Sequence, residues 1–176
     1  MMLKEKRVSE SRTIMTEMIM PNDTNPLGNL MGGNLMRWMD IAAGVCAAKQ
    51  AEAHVVTAAV DHVSFDLPIK LGNVITITAQ VTRAFNSSME VYVEVQVAEI
   101  TGANLTKSNH AFFSFVALDA ESLKPIKVHK ISPESKLEKE RYNAATRRRE
   151  LRLVLSGRMK PTDAKELKDI FLVKPS

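Results

Sequence analysis

Cysteine occurs once in the 176 residues. A lone thiol, Cys46, makes no internal disulfide, so covalent stapling is excluded and a reducing compartment is the natural setting. Aromatic residues are scarce, at 5% with a single Trp. Any core is therefore aliphatic and methionine-rich. Metal-ligand spacing is missing: His54, His62, His110 and His129 lie far apart and no cysteine pair accompanies them, so no metal is expected. Neither a G-x-S-x-G elbow nor a P-loop is present. No apolar run approaches the length that spans a bilayer. The N-terminal MMLKEKRVSE is charged and lacks the apolar segment of a secretory leader. These absences lead to the expectation of a cytoplasmic chain with no membrane insertion.

What is present suits one domain with an extension. Hydrophobic residues make up 45% of the chain, an ordinary share for a globular protein. The net charge of +4 is unevenly placed: residues 1–131 carry −1 and residues 132–176 carry +5. A basic segment suits an anionic partner, and it equally suits a solvated helix. The segment offers only Tyr142 and Phe171 as aromatics and no helix-turn-helix pattern, so nucleic acid is not expected as its partner.

Residues 12–20 read as a first strand, ended by Pro21 and a loop rich in turn formers. Gly32-Gly33 opens a helix to about Ala51, with Leu35, Met36, Met39, Ala42, Ala43, Cys46 and Ala47, no proline and few β-branched residues. This helix is apolar almost all round, so something must wrap it. Cys46 reads there as a small core residue. Strands follow at 54–66, 73–85, 89–100 and 104–119. Two alternate cleanly, with Ile75, Ile77, Ala79 and Val81 on one face and Val91, Val93, Val95 and Val97 on another. The last three look like an antiparallel meander with one wet face, which includes Glu90, Tyr92, Glu94 and Gln96. Ser132 as N-cap and Pro133 at the first position predict a C-terminal helix with an apolar stripe of Leu137, Ala144, Ala145, Leu151 and Leu155, and Gly157 stands at its end. A short helical piece is expected within 158–176. The domains expected are 12–131 and a basic helical extension over 132–176.

The chemistry-bearing stretch is MPNDTNPLGNLMGGNLMRWMDIAAG, residues 20–44. A polar loop leads into a Gly-Gly helix start, and one carboxylate, Asp40, follows two turns into an apolar helix. A helix N-terminus offers free N–H groups to an oxyanion, glycine lets a ligand approach the backbone, and a buried acid needs partners or a task. The same residues also read as a capping loop, a tight turn and an Asp40–Arg37 pair at i−3. The residues alone leave both readings open.

Segment 20–44, continued by residues 55–81, resembles the acyl-CoA hydrolase branch of the hotdog-fold thioesterases. The likeness rests on M-P-x-D-x-N-x-x-G-x-x-x-G-G, then M-D-x-x-x-G, then S-F-x-x-P-I-x-x-G in combination, and covers about residues 13–120. It implies an α+β hotdog fold, an antiparallel sheet wrapped around a long central helix, here with a C-terminal helical extension. It also implies hydrolysis of acyl-CoA to a free fatty acid and CoA, and homodimers assembled into a hexamer, a trimer of dimers, with sites between subunits. In tandem-domain relatives, an Asn from one domain joins an Asp from the other. Those positions match Asn25 and Asp40, and Gly33 falls where the oxyanion would be received. Met31 departs from the His or Phe common before the Gly-Gly pair, which bears on acyl preference. No cofactor is implied, because CoA enters with the substrate. For its phosphates the candidates are Arg83, the Asn86-Ser87-Ser88 turn and, on the C-terminal helix, Arg147, Arg148 and Arg149. A hydratase on the same fold, which would rely on a His near an acid, and a non-catalytic acyl-CoA-binding hotdog protein are the competing readings.

Overall fold

Alternation decides which side of each strand is dry. In the computed structural model of the chain, which describes residues 3–167, Ile75, Ile77, Ala79 and Val81 all face inward and are buried. The elements run β1 (Glu5–Arg7), α1 (Val8–Ser11), β2 (Thr13–Met18), α2 (Gly32–Ala51), β3 (His54–Phe65), β4 (Val74–Ala84), β5 (Ser88–Ala98), β6 (Thr106–Leu118), β7 (Lys130–Ser132) and α3 (Lys136–Leu155). β2 to β6 form one antiparallel sheet in the order β2-β4-β5-β6-β3. The expected meander is the run β4-β5-β6. α2 lies against the inner face and buries Met39, Ala42, Ala43, Cys46 and Ala47. Small side chains there bring the helix close to Phe113 and Phe115, which stack at 6.4 Å. Among the described residues no helix is long and apolar enough to cross a membrane.

The wrapping of α2 is one-sided. Ile41 and Val45 stay exposed on its far side. β3 is an edge strand of 12 residues, and Val56 and Val60 on it are exposed too. A long edge with open backbone groups is a template for pairing with another strand.

The chain divides into two compact units, residues 1–132 and 133–176. Within the first, residues 5–11, ahead of the first strand expected from the sequence, form β1 and α1. β1 pairs in parallel with β7, with Glu5 opposite Lys130 and Arg7 opposite Ser132. Gln50, fully buried near the end of α2, donates to the carbonyls of His129 and Lys130 at 3.1 and 3.2 Å.

In the second unit, two sequence expectations are corrected. α3 begins at Lys136, with Ser135 rather than Ser132 as N-cap. Ser135 Oγ accepts from the Glu138 N–H at 3.2 Å, and the Glu138 carboxylate accepts from the Ser135 N–H at 3.0 Å. This reciprocal box outcompetes Ser-Pro, which has no Glu three residues on. The apolar stripe is also covered only in part: of its members Ala145 is buried, with Glu150, while Leu137, Leu151 and Leu155 are exposed. Glu150 accepts from the Leu167 N–H at 2.9 Å. The helix ends as expected at Gly157, whose φ of +70° admits the left-handed turn. The Gly157 and Arg158 N–H groups return to the carbonyls of Val154 and Leu153. In the expected helical piece at 158–176, Pro161–Asp163 forms a 3-10 turn, and the remainder beyond residue 167 lies outside the described residues.

The wet face is also drier than the alternation implies. Glu90 is 1% exposed and Tyr92 5%. Thr82 Oγ1 donates to the Glu90 carboxylate at 2.5 Å. Lys107 Nζ donates to the Tyr92 hydroxyl at 3.0 Å and pairs with Glu94 at 2.6 Å.

Candidate active site

Asp40 stands at the middle of α2, half-buried. Its partner is not Arg37: among the described residues no ion pair joins the two. Instead the Thr57 hydroxyl, on β3, donates to Asp40 Oδ1 at 2.8 Å. Thr57 is a partner of the candidate acid that the sequence reading does not name. One Thr in an alternating strand carries no local signal, and only packing α2 under the sheet brings it to the acid. The bond occupies one carboxylate oxygen and fixes the plane of the group, leaving Oδ2 for a water. An open groove of about 410 Å³ runs beside it, lined by Asp40, Ile41, Val45, His54, Thr57 and Phe115, among others. His54, set aside on sequence grounds, is thus a neighbour of the acid.

Asn25 lies in a small hairpin closed by the Thr24–Leu30 bridge and tied to Lys70 through Asn29. Its Oδ1 accepts from the N–H groups of Leu27 at 2.9 Å and Asn29 at 3.2 Å. This Asx-type turn fixes the oxygen inward, so the amide NH₂ is the end left to donate. Asp23 holds the loop to the helix: its carboxylate accepts from the Met20 N–H at 3.0 Å and from the Asn34 amide at 3.4 Å. The Met31 N–H also donates to its carbonyl, at 2.8 Å.

α2 starts with Met31 as N-cap, and no side chain caps it. The first N–H groups, of Gly32 and Gly33, find no acceptor among the described residues, as helix geometry leaves them. A Cβ at Gly33 would meet nothing within 4 Å, so the single chain itself does not require glycine there. Asn25 and Gly33 do not line the groove beside Asp40.

The phosphate candidates fall in both units. Asn86 and Ser87 form the turn between β4 and β5, closed by the Phe85 N–H to the Ser88 carbonyl at 2.8 Å, and Ser88 already belongs to β5. The carbonyls of Asn86 and Ser87 accept from the Val128 and Ala117 N–H groups, while the Ser87 and Ser88 hydroxyls have no partner among the described residues. The Arg83 guanidinium sits 5.7 Å from the Phe85 ring centroid. Arg147 is exposed on α3 in the second unit, and Arg148 Nη2 donates to the Arg141 carbonyl at 3.1 Å.

Cys46 takes no part. It is buried, and burial pushes its thiol up to about 12, so the nucleophilic thiolate is suppressed. A thiol reagent at pH 8 is expected to leave the native protein unlabelled and to label one site per chain after unfolding in guanidinium. Rapid labelling of the native protein would contradict this burial.

The family model of the thioesterase superfamily matches residues 27–103. Mouse acyl-coenzyme A thioesterase 11 is 35% identical over 146 residues, 83% of this chain. The chain spans about a quarter of that protein's length, 24%. A Staphylococcus aureus acyl-CoA hydrolase, solved with butyryl-CoA, CoA and CoA disulfide, is 36% identical with a TM-score of 0.81, covering 87% of this chain and 94% of that one. Alanine variants of its asparagine, aspartate and threonine have also been solved, and the intervals between those positions equal those between Asn25, Asp40 and Thr57. A hexameric acyl-CoA thioesterase is 35% identical with a TM-score of 0.84, covering 88% and 98%. With its antiparallel sheet closed over one long helix, the chain belongs to the hotdog-fold acyl-CoA hydrolase family of the thioesterase superfamily.

Proposed function

We propose that the chain is an acyl-CoA thioesterase that releases free fatty acid and CoA by attack of water. The observation that carries this is the Thr57–Asp40 pair in an open groove, with no cation among the described residues taking up the acid. Asp40 acts on the thioester carbonyl, as general base to a water or as nucleophile. Thr57 positions the carboxylate by occupying Oδ1. Asn25 donates its amide to the water or the carbonyl, and the Gly33 N–H, with that of Gly32, receives the oxyanion. A carboxylate–water pair and an oxyanion site supply about 10²–10⁴ and 10²–10³ in rate.

A second copy completes the site in this reading. Asp40 lies about 10 Å along the helix from Gly33, at 1.5 Å per residue, and neither Asn25 nor Gly33 lines the groove beside Asp40. The exposed Ile41 and Val45 and the open β3 edge support pairing between copies. A hexameric relative supports further assembly, as a trimer of dimers. In the first unit the hydroxyls of Ser87 and Ser88, the Asn86 turn and Arg83 are assigned to CoA phosphate; in the second, Arg147 and Arg148 are separate candidates for phosphate. The reaction takes place in the cytoplasm in this reading, and no cofactor is required.

The test is a thiol-release assay over acyl-CoAs from acetyl to palmitoyl, with an enoyl-CoA beside them. Hydrolysis of saturated substrates is the expected result. Hydration of the enoyl substrate without thiol release would hand the site to a hydratase using His54, and binding without turnover would leave an acyl-CoA-binding protein.

A further inference from the structure

A second pocket opens at the start of α2, beside the unclaimed N–H groups. We propose that it receives the acyl chain of the substrate and that Phe65 gauges the chain's length. The inference rests on the thioesterase reading above and concerns the selectivity of that same site.

The pocket holds about 320 Å³, within the span of ligand sites. Its walls are Leu30, Gly32, Leu35, Phe65, Leu67 and Ile69, with Pro68, Asp66 and Asn109 completing the lining. The polar members are already engaged. The Asn109 amide donates to the Ser64 carbonyl at 2.9 Å, and its oxygen accepts from the Ser108 hydroxyl at 2.5 Å. Asp66 accepts from the Ser64 hydroxyl. The pantetheine arm, which carries two amides, would find few partners on such walls, whereas a hydrocarbon chain suits the apolar side chains of Leu30, Leu35, Phe65, Leu67 and Ile69. A thioester carbonyl held at the Gly32 and Gly33 N–H groups has its acyl chain at the mouth of this pocket.

Phe65 lines the pocket from the end of β3. A Cβ on Gly32 would lie 3.4 Å from Phe65 Cε1 and 3.6 Å from Cζ, so the ring stands directly over the helix start. The residue is 57% exposed at the end of β3. Its truncation therefore widens the pocket without opening a hole in the core. A larger ring narrows it.

The experiment measures kcat/KM of the full chain and of Phe65→Ala and Phe65→Trp on butyryl-, octanoyl- and lauroyl-CoA, with thermal melts as a folding control. Phe65→Ala is expected to raise the lauroyl-to-butyryl ratio about tenfold, and Phe65→Trp to lower it by a similar factor, the scale of one methylene in an apolar pocket. Leu67→Ala, on the same wall and 45% exposed, is expected to shift the ratio in the direction of Phe65→Ala. A uniform change across all three substrates, or the same direction of shift for Ala and Trp at position 65, overturns the proposal. A wild-type chain that hydrolyses no acyl-CoA from acetyl to palmitoyl overturns the thioesterase reading itself.

Discussion

Asp40→Ala is expected to lower kcat by about 10²–10⁴, the usual share of a positioned general base, with little change in folding. The side chain is half-buried and its single bond, to Thr57, tethers no core element. Asn25→Ala should act in the same direction, by about 10²–10³, as loss of one donor to the developing charge does. Thr57→Ala is expected to lower kcat less than Asp40→Ala, because Thr57 acts through the carboxylate. The decisive measurement mixes the Asp40→Ala and Asn25→Ala proteins under subunit exchange. A mixed dimer then holds one intact site and one doubly damaged site, so part of the activity returns. If mass spectrometry shows exchange and the mixture stays as inactive as its parents, each site lies within one chain. If Asp40→Ala turns over like wild type, the acid has no catalytic role. Single losses of this kind report differences in transition-state stabilisation rather than a partition of it.

Phe113→Ala is expected to cost about 3–5 kcal/mol, the range for emptying a fully buried ring site. Phe113 has no exposed surface, stands opposite Val91 and Val60 in the sheet and stacks on Phe115 at 6.4 Å. Since a domain of this size holds only about 5–15 kcal/mol in total, the variant should be only marginally folded. Urea unfolding gives the number: the midpoint falls while the slope stays constant. Ile14→Ala, at 62% exposed on the outer side of β2, is the contrast, with a change within about 0.5 kcal/mol. Equal costs at the two positions would mean that the sheet's dry side has been misassigned.

The elements with strong local signals were legible. α2 runs from Gly32 to Ala51 in the structure as in the sequence reading, because a Gly-Gly start, small residues and the absence of proline all agree. β4 and β5 follow their alternation to within a residue or two. The pattern of period two separates two faces, and it names the dry one only when one face is plainly apolar. It does not reveal that the other face is also sealed at Glu90 and Tyr92, where hydrogen bonds and a lysine ammonium satisfy the polar groups. β1 and β7 are three residues long and meet across more than a hundred residues, so nothing periodic announces them. Ser135 was overlooked because Ser132-Pro133 offered a start signal three residues earlier, and the Glu that distinguishes the true cap lies beyond both. In the site, Asp40 stood out as a charge in an apolar helix, and Asn25 came from the family likeness. Thr57 became visible only when β3 and α2 were placed side by side.

The parallel pairing of β1 with β7 has an architectural consequence. Glu5 faces Lys130 and Arg7 faces Ser132, so the first unit begins and finishes at one corner, within about 10 Å by strand rise and spacing. The same adjacency makes the unit permutable. Joining Lys4 to Ser132 through a few glycines and reopening the chain at Thr101–Gly102, an exposed turn, would change the order of the strands along the chain while preserving every pairing in the sheet.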